Sequence, residues 1–259
     1  MINLGLENKK VLILGASNGI GKQLSYDFVN QGSKVSIVAR NLRSLKKIAS
    51  NLNSIKPGNN FFSIDLMPEG NPTKIIKKIF NLHGVHEIII NCVGGGMGVN
   101  NPPKKYNDWN KVWRFNCGIA IESNMEAIKH LEKQKTKFAR FIHISSYAGK
   151  LAKPTHNKIA YSTSKAFLNS YIKNMSKHYG NKNLIFNGIM PGPILTKGKF
   201  WKKKIKKNPK EVRKYLKENF SLNRFAKYSE ITPYILALAS EYSSYTSGSI
   251  IDLSGGEID

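Results

Sequence analysis

Cysteine is nearly missing from this chain. Cys92 and Cys117 are the only two in 259 residues, and both sit in apolar surroundings. Two thiols cannot build a disulfide framework, and their setting suits a reducing compartment. They do not combine with the six histidines at metal-ligand spacing, so no metal is expected. Acids are scarce too: 16 Asp and Glu stand against 41 Lys and Arg, a net charge of +25. Long apolar runs are absent. Glu87-Ile-Ile-Ile-Asn91 is far too short for a bilayer span, and Met1–Lys10 is too mixed and polar for a signal peptide. A cytoplasmic protein with no membrane span is expected. No linker, repeat or low-complexity tract divides the chain, so residues 1–259 read as one domain.

Arginine is also sparse, with six against 35 lysines. Nucleic-acid binders gather charge on one face and use Arg for phosphate and base contacts. Here the lysines are spread along the whole chain, so nucleic acid is not the expected partner. One segment stands apart. Lys197–Lys217 holds eleven basic residues, with Glu211 inside it and Glu218 just beyond.

What the chain does have is alternation. Short, continuously apolar runs predict strands over 9–15, 33–39, 60–64, 86–93, 138–144, 184–189 and 249–253. Helical stretches separate them, over 19–30, 42–51, 73–82, 107–132, 157–179, 197–218 and 230–239. Strands apolar on both faces, joined by helices, predict an α/β fold: a doubly wound, Rossmann-type parallel sheet of about seven strands, with helices on both sides. Ligands of such sheets bind beyond the carboxyl ends of the strands.

The chemistry-bearing residues fall at those ends. The first strand runs into Gly15-Ala-Ser17-Asn18-Gly19-Ile20-Gly21. Glycines there let backbone approach a pyrophosphate, and the next helix offers free N–H groups and its positive dipole end. A tight turn with no ligand is the plainer reading of the same residues. The second strand ends at Arg40, with Arg43 nearby and no acid. A guanidinium suits the 2′-phosphate of NADP(H), where an acid would suit NAD(H); otherwise it is a solvated side chain. Asp65 reads as an acceptor for an adenine amino group or as a turn residue. Asn91 and Gly94 close the fourth strand.

Tyr161-Ser-Thr-Ser-Lys165 places Tyr and Lys on one helix face. A phenol of ordinary pKa, about 10, is a poor base at neutral pH, and a nearby ammonium lowers that pKa. Such a pair can exchange a proton with a carbonyl oxygen. Ser145 and Ser146 end the fifth strand, where a hydroxyl can donate to the same oxygen or bond its own turn. Asn116 lies within the long predicted helix, holding a water behind Lys165 or facing solvent.

Taken in order, Gly15-x-x-x-Gly19-x-Gly21, Asp65, Asn91-x-x-Gly94, Asn116, Ser146, Tyr161-x-x-x-Lys165 and Pro191-Gly192 resemble the short-chain dehydrogenase/reductase family, in its 3-oxoacyl-carrier-protein-reductase-like branch. The resemblance spans nearly the whole chain. It implies a catalytic tetrad of Asn116, Ser146, Tyr161 and Lys165, preferring Ser146 to Ser145 because the family's serine precedes a glycine, here Gly149, by three residues. It implies dinucleotide contacts from Gly15, Ser17, Asn18, Gly19, Ile20, Gly21, Arg40, Asp65, Leu66, Asn91, Gly94, Tyr161, Lys165, Pro191, Gly192, Ile194 and Thr196. It implies a homodimer or homotetramer, and makes the basic stretch at about 195–225 a lid over the substrate. Three residues depart from the family: Leu14 before the first glycine, and Cys92-Val93 where Asn-Ala is usual. The Ser146–Tyr161 interval is also longer, around Lys153–His156.

The expected activity is NADPH-dependent reduction of a small-molecule ketone or aldehyde, reversible to alcohol oxidation. The basic lid suits an acidic or carrier-linked substrate, with Phe200 and Trp201 able to pack over it. A cofactor-sensing protein of the same fold, without chemistry, is the second reading; the complete tetrad argues against it.

Overall fold

The computed structural model describes residues 3–99, 102–135, 138–150, 158–195 and 199–258, the side chains of 199 and 200 excepted. Seven strands form one parallel sheet in the order β3-β2-β1-β4-β5-β6-β7. They are β1 (Lys10–Leu14), β2 (Lys34–Ala39), β3 (Asn60–Ser63), β4 (Ile88–Asn91), β5 (Ala139–Ile144), β6 (Leu184–Pro191) and β7 (Ile250–Leu253). The chain winds outward from β1 to β3, then returns to β4 beside β1 and continues the other way. The crevice at that reversal, beyond the ends of β1 and β4, is where ligands of doubly wound sheets sit.

Helices cover both faces. One core layer joins the sheet to α1 (Gly19–Asn30), α2 (Leu42–Ile55) and α9 (Thr232–Ala239) through Leu24, Phe28, Leu45, Ile48, Leu52 and Ile235. The other joins it to α3 (Asn71–His83), α5 (Ile119–Lys133) and α6 (Ile159–Tyr179) through Ile76, Ile79, Ile128, Leu131, Leu168 and Ile172. Leu45, Ile48, Ala49 and Leu52 recur at helical spacing, so one stripe of α2 is buried and the rest is solvated. Asn41 caps that helix, its side chain accepting from Ser44 N–H at 2.9 Å. Among the described residues, no helix is long and apolar enough to cross a membrane.

Two helices differ from the sequence expectation. The stretch predicted as one helix over 107–132 is α4 (Tyr106–Trp113), a π-helical segment over Arg114–Gly118, and α5. Asn116 is the cause that can be named. Its Nδ2 donates to Val112 O at 2.8 Å, four residues back, in place of a backbone donor. The ladder shifts register, so Ile119 N–H reaches Arg114 O, five residues back. The lid helix is likewise two, α7 (Lys199–Lys207) and α8 (Pro209–Asn219). Pro209 cannot continue a helix but opens one well, and Asn208 caps α8 by accepting from Glu211 N–H at 3.1 Å.

Two imidazoles are buried and uncharged. His86 is held between Gly84 O and Ser36 Oγ at 2.9 and 2.8 Å, and burial drags its pKa down to about 4. His143 on β5 is fully buried, and burial drags its pKa to about 3. Both values lie below the ordinary 6.5. The unfolded chain therefore takes up protons below pH 6.5 that the folded chain refuses, and stability falls as pH drops from 6.5 toward 4. The loss from His86 alone is on the order of 3 kcal/mol at pH 4. Urea midpoints measured across that window should decline steadily; a flat profile would contradict neutral buried imidazoles.

Candidate active site

Two adjoining cavities open at the sheet reversal. The larger, of about 730 Å³, reaches from the first turn of α1 across the end of β5 to α6 and the lid. The smaller, of about 260 Å³, lies over the ends of β2 and β3. Cys92, Val93 and Gly94 form the wall common to both.

The glycines of the first turn make room that no other residue allows. Gly15 has φ +88°, and a Cβ there would come within 3.0 Å of the Cys92 backbone. A Cβ on Gly21 would lie 2.6 Å from Gly15 O, so the helix start packs directly on the turn. Ser17 O is tied to α2 by Ser44 Oγ at 2.9 Å. Asn18, Gly19, Ile20 and Gly21 line the larger cavity; Asn18 Oδ1 accepts from Gly19 N–H at 2.8 Å, and the positive end of the α1 dipole suits a pyrophosphate. Gly15, Ser17, Arg40, Asp65 and Leu66 line the smaller one. Asp65 also makes a turn, its Oδ1 accepting from Met67 N–H at 3.1 Å. Pro191, Gly192 and Ile194 line the far side, and a Cβ on Gly192 would overlap Ser254 O. A cavity pair of this size, floored by cradles that a single methyl would fill, fits a dinucleotide.

The predicted tetrad converges on the larger cavity. Lys165 is buried on α6 and donates a hydrogen bond to Ile144 O at 2.8 Å. Burial pulls its pKa down to about 8. Its Nζ lies 5.8 Å from the centre of the Tyr161 ring. Ser146 hydrogen-bonds Tyr161, and its Oγ also accepts from Ala148 N–H at 3.2 Å. Ser145 is committed elsewhere, donating to Asn169 Oδ1 at 2.5 Å. Asn116 stands behind Gly94 and Gly95. It donates to Gly95 O at 2.9 Å and accepts from Gly95 N–H at 2.9 Å. A Cβ on Gly94 would lie 2.8 Å from Asn116 Oδ1 and 2.9 Å from Lys165 Nζ, so only glycine leaves that contact open.

Two expectations need amending. The Tyr161 phenol stands above its ordinary pKa, not below it: burial raises it, and the Ser146 hydrogen bond opposes only in part. The Lys165 ammonium is directed at Ile144 O, which explains its weak hold on the phenol. Asn91 does not line either cavity. It is buried, and its Nδ2 donates to Asn124 Oδ1 at 3.1 Å, within a polar cluster that includes His143 and Tyr171. Thr196 and the 153–156 stretch lie outside the described residues, as does the Phe200 side chain.

Sequence reasoning also missed residues. Arg114 fixes the loop after β3: Nε donates to Met67 O at 3.0 Å, and Nη2 to Leu66 O, Pro68 O and the Glu122 carboxylate. Its rarity among so many lysines was the available signal. Tyr147, next to Ser146, shares a 2.7 Å hydrogen bond with Tyr215 of α8. Trp201 packs on Tyr215 and Phe225, and Tyr147 on Phe220, joining α7 and α8 to the loop after β5. Cys92 and Cys117 both have thiols pushed up to about 12 by burial, so neither is a nucleophile.

The chain is similar to known proteins over nearly its whole length. The 3-oxoacyl-[acyl-carrier-protein] reductase of Thermotoga maritima is 28% identical over 97% of this chain and 98% of its own. The L-sorbose reductase of Gluconobacter frateurii, solved with NADPH and L-sorbose, superposes with a TM-score of 0.89 at 23% identity, covering 100% of this chain and 99% of that one. A 7α-hydroxysteroid dehydrogenase solved with NADH and a 7-oxo bile acid gives 0.88 at 24%, covering 99% and 96%. Residues 9–207 match the short chain dehydrogenase family, a span that holds both the glycine turn and the Tyr–Lys pair. This chain therefore belongs to the short-chain dehydrogenases, oxidoreductases that interconvert CH–OH and C=O with a nicotinamide dinucleotide.

Proposed function

We propose that the protein is an NADPH-dependent carbonyl reductase, one catalytic domain with a lid at about 195–225. The observation that carries this reading is the meeting of Ser146, Tyr161 and Lys165 in one cavity with the first turn of α1. A phenol within reach of a carbonyl oxygen can serve as its proton donor. The nicotinamide, when bound, supplies the hydride. Ser146 Oγ donates to the substrate oxygen and holds it beside Tyr161. Tyr161 Oη passes its proton to that oxygen as the carbonyl becomes an alcohol. Lys165 and Asn116 hold the surrounding backbone at Ile144 and Gly95. Relatives such as the 3-oxoacyl-[acyl-carrier-protein] reductase make acyl thioesters and keto sugars the first substrates to screen with NADPH. Exposed Trp113, Met125, Ile159 and Phe167 on α4 to α6 support a homodimer or homotetramer.

Arg40 supports the preference for NADPH. It lines the smaller cavity at the end of β2, where a 2′-phosphate could take paired hydrogen bonds. Arg40→Ala should lower kcat/KM for NADPH by about tenfold to a hundredfold and leave that for NADH nearly unchanged. Wild-type kinetics that favour NADH would overturn this preference.

A further inference from the structure

The basic lid spends most of its charge on solvent. Lys202, Lys203, Lys206 and Lys207 are exposed and do not line the cavity. Lys204 does. It lies one turn beyond Trp201 and next to Ile205, both of which pack on the apolar cluster of Val212, Leu216 and Phe220. That packing turns one edge of α7 toward the cavity and carries Lys204 with it. A second lysine lines the same cavity. Lys158 precedes Tyr161 by one helical turn, and both line the cavity. Its stem runs past the glycine wall, where a Cβ on Gly96 would lie 3.9 Å from Lys158 Cδ.

Lys158 stands at the start of α6, the positive end of the helix dipole. Loss of solvation, and then repulsion from Lys204, lower its pKa from the ordinary lysine value. Glu211 also lines the cavity, but its carboxylate is 3.9 Å from Lys204 and accepts from Asn208 Nδ2 at 3.1 Å. The same cavity is lined by the apolar and aromatic side chains of Tyr147, Ile194, Val212 and Tyr215. We propose that Lys158 and Lys204 together bind an anionic group, a carboxylate or phosphate ester, at the far end of an otherwise apolar carbonyl substrate. The proposal rests on the reductase reading for the carbonyl end only. An ammonium attracts either anion as a point charge.

The test uses the full chain with NADPH and three ketones of one chain length, ending in a carboxylate, its methyl ester or a phosphate ester. NADPH oxidation gives KM, and calorimetry gives affinity. Wild type should show KM for both anions about tenfold below that for the ester, rising with salt. In Lys158→Met and Lys204→Met the anion-to-ester ratio should collapse toward one, and Lys158→Arg should restore it. Lys202→Met, at an outward position, should keep the wild-type ratio. Equal KM and affinity for anion and ester in wild type, or a ratio unmoved in both Met variants, would overturn the proposal. A preference for the carboxylate alone or the phosphate ester alone names the source. Anion-selective binding without NADPH oxidation would retain the anion site and reject the reductase.

Discussion

Replacing Tyr161 with Phe lowers kcat by at least about a thousandfold and leaves dinucleotide binding largely intact. The phenyl ring keeps its place on α6, so packing is conserved. What goes is the hydroxyl that Ser146 holds. Two neighbours are poorly placed to replace it: Lys165 Nζ donates a hydrogen bond to Ile144 O, and the Cys92 thiol is held near a pKa of about 12. Loss of one buried hydrogen bond costs about 1 kcal/mol, too little to unfold the chain. Stopped-flow NADPH oxidation against a screened ketone, with fluorescence titration of the cofactor, separates the two effects. An undiminished rate would remove Tyr161 from the mechanism.

A single methyl at Gly149 should be nearly as damaging, from a position that touches no substrate. Gly149 ends the short 3₁₀ turn Tyr147–Gly149 that follows Ser146. It lies flat on α6: a Cβ there would sit 2.6 Å from the Lys165 carbonyl carbon and 2.8 Å from Ala166 N. Both obstacles are backbone, so the clash cannot be relieved by a rotamer change. Gly149→Ala must lift the loop from the helix, and Ser146 moves with it while Tyr161 and Lys165 stay. Overpacking of this kind costs about 1–3 kcal/mol of stability. Misplacing a donor by an ångström costs about a hundredfold in rate. The glycine turn at Gly15–Gly21 is on other elements, so cofactor affinity should hold. Thermal melts and kcat measured together would show both losses; wild-type values for both would mean that the loop is not clamped.

Much of this was legible in the residues. Strands buried on both faces read as continuous apolar runs, so β1, β2 and β5 stood out, and their alternation with helices implied the sheet. The strand-end residues were legible because doubly wound sheets put chemistry there. What escaped notice depended on side-chain direction and on competition for hydrogen bonds. Asn91 sits at the expected strand end, yet points to Asn124 because the buried Asn–His–Tyr cluster needs its amide. Ser145 and Ser146 are adjacent, and only the structure shows Asn169 drawing the first away. The sign of the Tyr161 shift was missed because spacing reveals a neighbouring charge but not the desolvation that outweighs it. The partnership of Lys158 and Lys204 joins residues far apart in sequence, beyond the reach of any local pattern.

The π-helical segment has a consequence for how this chain can change. It is, in effect, one residue too many in a helix that would otherwise run unbroken from Tyr106 to Lys133. Removing a residue between 114 and 118 would restore regular α-helical bonding and straighten the element. It would also rotate Asn116 by about a quarter turn and take it off Gly95. The shortest path to a better helix thus runs through the loss of the active-site loop's anchor. The surplus residue persists because the alternative is a sounder helix on a poorer enzyme.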